Sequence, residues 1–235
     1  LAVGLVFSFT RAAWVSLAGI GALFAAMKLG FKFKQLAGIG VLLLGLLYVN
    51  QDSILIELQR NKQDSSDNLT EHVESISNVS SDDSNLERLN RWNCAISLFK
   101  ERPVTGWGPG TYQFVYAPYQ EAKYRTTIST NNADGGNAHS EYLGPLAEQG
   151  VLGLLFVLAL LWWCCGLGFR LWEEIKDVDK RNLAVSIYLG LMTYFIHGVL
   201  NNYLDTDKAS APFWGFIALL VVLDIELREE KKLTS

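Results

Sequence analysis

Five long apolar runs organise the chain, over residues 17–27, 36–49, 151–169, 183–200 and 211–225. Several approach the roughly 17–25 residues that a helix needs to cross the hydrocarbon core of a bilayer. They lack the polar stripe of a helix lying on a soluble core, so the pattern predicts an all-α polytopic membrane protein. Between the second and third runs lies a long polar segment, residues 51–140, whose first part (QDSSDNLTEHVESISNVSSDDSN) reads as a loop. From Leu86 the pattern changes. Leu86, Leu89, Trp92, Ile96 and Phe99 recur at helical spacing until Pro103 ends them. This predicts an amphipathic helix near 86–101, lying on the membrane surface or against the bundle.

Charge sets the orientation. Lysines and arginines gather in the connections 28–35 (Lys28, Lys32, Lys34) and 170–181 (Arg170, Lys176, Lys180, Arg181), and in the tail (Arg228, Lys231, Lys232). Excess basic residues mark cytoplasmic loops, so all three are expected inside. The segment 51–140 and the short loop 201–212 are then extracytoplasmic. A single helix over 1–27 would hold Arg11 inside the bilayer at a cost of several kcal/mol, so a break is expected near Phe9-Thr10-Arg11, with Arg11 at the outer surface. The expected division is 1–50 (the tail of one helix, then two crossings), 51–140 (the large outer loop), 141–227 (three crossings) and 228–235 (a cytoplasmic tail).

Composition agrees: 50% of residues are hydrophobic and 19% charged, and mean hydropathy is positive. A net charge of −4 points neither to nucleic acid nor to a general acidic partner. Cys94, Cys164 and Cys165 follow no metal-site spacing, and no metal or cofactor is expected. The chain opens within an apolar run, without an initiator Met or a signal-peptide pattern, so further helices are expected to precede it.

Few residues carry chemistry. His139 precedes SEYLGPLAEQG, which reads as a helix N-terminus capped by Asn137 or Ser140. The helix dipole there would lower the imidazole's proton affinity, leaving a neutral ring able to act as a general base. Arg88 and Arg91 lie one turn apart on the amphipathic helix, with Lys100 and Arg102 beyond them. Guanidinium groups grip phosphate oxygens in a fork, so arginines outside a membrane suggest either a phosphorylated lipid substrate or plain contact with anionic headgroups. GWGPGTY (106–112) departs from a dinucleotide fingerprint and follows a helix, which makes it a tight turn. Trp107, Tyr112, Phe114, Tyr116, Tyr119 and Tyr124, in the turn and after it, could stack on sugar rings or form an interfacial belt, and most read as the belt. His197, beside Asn201 and Asn202 at the outer end of an apolar run, is a further candidate. Substrate binding is expected to involve Asn137, Glu141 and His197.

Three stretches together resemble the O-antigen ligase and O-antigen polymerase superfamily, in its C-terminal half. SFTRAAWVSLAG looks like the family's Ser/Thr-Arg-small-small motif. LERLNRWNCAISLFKERPVTGWGPGTYQ looks like its Arg-x-x-x-Trp/Leu helix followed by a glycine-rich turn. NAHSEYLGPLAEQGVLG looks like its His-x10-Gly motif, with His139 and Gly150 at that separation. The resemblance implies a helical bundle of the C-type glycosyltransferase kind with one large extracytoplasmic loop. It also implies a metal-independent, inverting transferase in the bacterial inner membrane, with its active site on the periplasmic side. The donor would be an undecaprenyl-diphosphate-linked glycan, and the acceptor a glycolipid or glycan hydroxyl. Arg11 and Arg88 become diphosphate clamps, Arg91 a further substrate contact, and His139 the base. The 51–85 stretch has no counterpart in that pattern.

A lipid A core acceptor (ligase), another repeat unit (polymerase) and a protein hydroxyl are all open from the sequence. Two readings of other classes compete: a transporter of lipid-linked sugars, which would need cations along a through-path, and a membrane anchor with a sensing loop. Neither accounts for the three motifs in order.

Overall fold

The computed structural model of the chain describes residues 11–50, 83–126, 129–130 and 136–234. Among them are seven α-helices and no strand: α1 (Arg11–Lys28), α2 (Phe33–Val49), α3 (Asp83–Glu101), α4 (Tyr112–Val115), α5 (Leu143–Glu174), α6 (Val178–His197) and α7 (Asp207–Thr234). Two single 3-10 turns follow α4, at Ala117–Tyr119 and Ala122–Tyr124. The loop expected over 51–85 lies almost wholly outside the described residues, as do residues 1–10 and the Arg11 side chain, where the break was expected.

Two helices are long and apolar enough to cross a membrane, Leu143–Glu174 and Asp207–Leu233. The apolar stretches Ala12–Lys28 and Phe33–Leu43 are shorter. On α5, Leu152, Leu155, Phe156, Trp162 and Trp163 are exposed, a large apolar surface that water would not favour and that lipid would. Gly150, at φ 67° and ψ −158°, breaks α5 into a short helix before it and the long apolar helix after it.

The chain divides into two compact units. The first comprises Leu1–Phe33, Ser140–Tyr142 and Gly153–Ser235. Its centre is α6, which buries Ala184, Val185, Ile187, Tyr188, Leu191, Met192 and Phe195 and packs against both α1 and α7. Rings interlock around it: Phe169 of α5 meets Tyr188 edge-on at 6.2 Å, and Phe213 of α7 meets Phe195 at 5.4 Å. Asp177 starts α6 by accepting a hydrogen bond from the Lys180 amide at 2.7 Å, which satisfies one of the donors that a helix start leaves open.

The second unit comprises Lys34–His139 and Leu143–Leu152. Here α3 packs against the two 3-10 turns, around a core of Cys94, Ala95, Leu98, Tyr112, Tyr116, Ala138 and Ala147. Tyr112 and Tyr116 stack with ring centroids 5.3 Å apart and are 2% and 0% exposed. The interfacial belt expected of these aromatics is therefore wrong for these two, which form the core under the candidate site. Phe114 does stay exposed.

Candidate functional site

The second unit gathers His139, Arg88, Arg91 and Asn137. α3 begins at Asp83 and presents Glu87, Asn90, Arg91, Cys94 and Leu98 on its buried face, at the three- and four-residue spacing of one helical stripe. Arg91 and Glu87 are both buried and joined directly, Nε to Oε1 at 2.6 Å. The Arg91 guanidinium lies over the Tyr116 ring, 4.2 Å from its centroid, and its Nη1 has no hydrogen-bond partner among the described residues. A buried pair repays its desolvation only with good geometry and further hydrogen bonds, and Glu87 has these. Its Oε2 accepts from the Ser129 hydroxyl and, at 3.5 Å, from Asn90 Nδ2. Asn90 in turn donates to Gln120 Oε1 at 3.0 Å. Arg91 is thus an internal cation, while Arg88 is half-buried.

Gly136 fits closely over this cation. A Cβ there would come 1.8 Å from Arg91 Nη1 and 2.7 Å from the Tyr116 ring. The chain at Gly136 thus runs against the guanidinium, and three residues on His139 stands at φ 49°. A non-glycine residue in the left-handed region is uncommon and costs of order 1–2 kcal/mol. Asn137 Oδ1 holds the turn by accepting from the His139 amide at 3.1 Å. The Trp92 indole holds it from α3 by donating to the His139 carbonyl at 3.4 Å. Burial, and then the positive charges of Arg91 and Arg88, push the His139 imidazole below its ordinary proton affinity of 6.5, with Glu87 acting weakly the other way.

That direction agrees with the sequence reading, but its cause does not. The helix begins only at Leu143, with Tyr142 at its N-cap position and no side-chain cap. Asn137 therefore holds the turn at His139 instead of capping a helix. Burial first, and then the charges of Arg91 and Arg88, lower the proton affinity of the imidazole.

The glycine-rich turn is fastened beneath. The Gly108 amide donates to the Glu148 carbonyl at 2.7 Å, and the Val151 amide donates to the Pro103 carbonyl at 2.8 Å. The Glu148 carboxylate accepts from the amides of Gly110 at 2.8 Å and Tyr112 at 3.0 Å. Tyr112, so placed, donates its hydroxyl to the Arg91 carbonyl at 2.7 Å. The break at Gly150 makes this docking possible, since a Cβ there would lie 2.4 Å from the Val104 carbonyl oxygen. Its backbone also occupies a region essentially reserved for glycine. Gly150→Ala is expected to destabilise the protein by about 1–3 kcal/mol from backbone strain alone, more if the turn cannot yield. A thermal unfolding curve in detergent checks this; an unchanged midpoint would contradict it. Burial pushes the Cys94 thiol up to about 12, which removes it as a nucleophile.

Glu87 and Glu148 were not singled out from the sequence, and Tyr112 entered only among the aromatics after the turn. Only the spacing of Glu87 and Arg91, a four-residue acid–base pair on a helix, gave a signal for any of them.

The first unit holds Glu141 and His197. Glu141 Oε1 accepts from the Tyr194 hydroxyl and from the amides of Tyr203 at 2.7 Å and Leu204 at 3.0 Å. The Glu141 amide donates to the Gly198 carbonyl at 2.7 Å. Through Oε1, Glu141 fastens the turn after α6. His197 Nε2 lies 3.1 Å from Asn201 Nδ2, and its ring lies 5.7 Å from that of Tyr203. Among the described residues no group of three or more His, Cys, Asp or Glu side chains is placed to hold a metal ion.

Comparison with curated proteins and with solved structures returned no match. The family model described as O-antigen ligase matches residues 1–158, a span that contains His139, Arg88, Arg91, the glycine-rich turn and Gly150. Two membrane-length apolar helices and this match make the chain a membrane protein with a ligase- or polymerase-like glycosyl-transfer role, and it belongs to the O-antigen ligase family.

Proposed function

We propose that the protein transfers an oligosaccharide or polysaccharide from a polyprenyl diphosphate carrier to an acceptor hydroxyl at the outer face of the inner membrane, as an O-antigen ligase acting on a lipid A core sugar. One arrangement carries the reading: half-buried His139, its turn held by Asn137, is fastened by the Trp92 indole to the helix that bears Arg88 and Arg91, and burial with those two charges lowers its proton affinity. A neutral imidazole accepts a proton, and fixed cations stabilise a departing anion, and glycosyl transfer from a diphosphate needs both.

The acceptor oxygen attacks the anomeric carbon of the first sugar. The bond from that carbon to the diphosphate oxygen breaks from the opposite side, which inverts the centre. The bonding pair leaves with the carrier diphosphate, and the acceptor's proton passes to His139. Arg88 takes the diphosphate directly. Arg91, its Nε committed to Glu87, contributes charge from beneath and holds His139 basic only below its ordinary range. In the first unit, Arg11 is a proposed diphosphate contact by its place in the Ser/Thr-Arg motif, and His197 beside Asn201 a proposed substrate contact. The arginine charge does the work that a divalent cation does in other diphosphate chemistry, so the reaction is expected to continue in a chelator.

The test is complementation. The complete protein, in a strain lacking its own ligase and polymerase, is compared with Arg88→Ala by surface-glycan gel at equal membrane abundance. Long glycan on lipid A core, lost in the variant, supports the ligase reading. A longer ladder still on the carrier lipid makes the protein a polymerase. Wild-type glycan from Arg88→Ala overturns the arginine's role.

The pH dependence follows from His139. Its folded proton affinity is lowered, so the neutral form persists below the ordinary histidine range. Activity should hold as pH falls through 6.5, the ordinary value, and be lost at lower pH, where the folded imidazole protonates. Stability follows the same sign: the unfolded chain binds this proton first, so the contribution is present above the unfolded value and lost as pH falls through the folded one. A pH–rate profile with its acidic limb above that value would contradict the assignment.

A further inference from the structure

We infer that Lys28, Trp172 and Arg181 form a binding site for the phosphate group of an anionic phospholipid headgroup. Lys28 is in the last turn of α1, Trp172 in the last turn of α5 and Arg181 in the first turn of α6, all within the first unit. Two cations from different helices converge on one indole: Lys28 Nζ lies 5.1 Å from the ring centroid and the Arg181 guanidinium carbon 5.3 Å. Lys28 also lies 5.4 Å from the Phe24 ring.

The neighbouring cations are arranged differently. Arg170 and Arg228 share Asp224, Lys180 pairs with Glu226 and Glu230, and Lys231 pairs with Glu174. Asp177 is engaged as the cap of α6. Neither Lys28 nor Arg181 has a carboxylate partner among the described residues, and Arg181 Nε is buried with no hydrogen-bond partner there. Two like charges held at one ring repel each other, and the ring's quadrupole offsets only part of that. An anion beside the two cations offsets that repulsion.

The position names the source of the anion. The site lies where apolar helices end, the depth at which tryptophan and basic side chains meet lipid headgroups. A phosphate with acyl chains beside those helices gains apolar contact that a free ion does not.

The test uses the complete protein purified in detergent, titrated with phosphatidylglycerol and read by native mass spectrometry as bound lipid per protein. Each basic residue near an anionic headgroup contributes enough that Lys28→Gln/Arg181→Gln should weaken retention roughly tenfold or more. Lys28→Arg/Arg181→Lys should keep it, and Lys176→Gln, an exposed lysine of the same connection, should leave it unchanged. Equal melting curves for all four proteins establish that folding is intact. Equal retention by Lys28→Gln/Arg181→Gln overturns the site. If inorganic phosphate shifts Trp172 fluorescence in a pair-dependent way while phosphatidylglycerol is not retained, the lipid as source is overturned. The readout is lipid binding, so glycan transfer can fail without touching this result.

Discussion

Replacing His139 by alanine is expected to lower glycan transfer by about 100- to 10,000-fold, the usual contribution of a positioned general base. The loss should fall on turnover, with donor affinity nearly unchanged. His139 accepts the acceptor's proton, whereas Arg88 holds the diphosphate. Stability should not fall, because the side chain is itself disfavoured in its charged form and the backbone turn is held by Asn137 and Trp92. The measurement is a single-turnover rate beside a donor-binding isotherm. His139→Gln, which keeps a polar side chain but cannot accept the proton comparably, should be as slow as the alanine variant. A variant that turns over normally would leave His139 as a loop residue only.

The second large effect belongs to Arg91. Arg91→Ala removes the cation that faces Glu87 in the interior. Breaking one side of a buried pair costs about 3–5 kcal/mol, because the remaining charge is stranded. The variant should therefore melt well below the parent, and its acidic activity limb should move to higher pH, since one of the charges lowering the His139 proton affinity is gone. A paired change, Glu87→Leu/Arg91→Met, separates the two roles. Exchanging a buried ion pair for apolar groups is often neutral, so most of the stability should return while activity does not. If the paired variant recovers both, the arginine serves the fold alone.

The helices were largely legible because each carries a one-dimensional signal. Apolar runs predicted α5 and α7, and the Leu86–Phe99 spacing predicted α3, which ends at Glu101 before Pro103. Gly150 was noticed only as the end of a spacing, yet its backbone angles break α5. The details of the site were hidden where the partners lie far apart in sequence. Glu148 reaches amides 36 and 38 residues away, and the Tyr112 hydroxyl reaches the Arg91 carbonyl 21 residues back. No local period encodes such contacts. Tyr112 and Tyr116 looked like interfacial aromatics because composition alone separates a belt from a core poorly, and their stacking depends on a four-residue helix too short to show a period. The hydrogen bonds of Glu141 were equally hidden, since they run to residues 53 to 63 positions away.

The central claim is that a bond to the carrier diphosphate is broken here, with His139 taking the proton. It is tested most directly in proteoliposomes holding the complete protein, a polyprenyl-diphosphate-linked glycan and an acceptor, by counting free polyprenyl diphosphate against glycan joined to the acceptor. The account predicts equal amounts of the two, and neither above background with His139→Ala. Glycan-lipid that crosses the bilayer intact, with no carrier diphosphate released and no dependence on His139, would contradict it and make the protein a transporter.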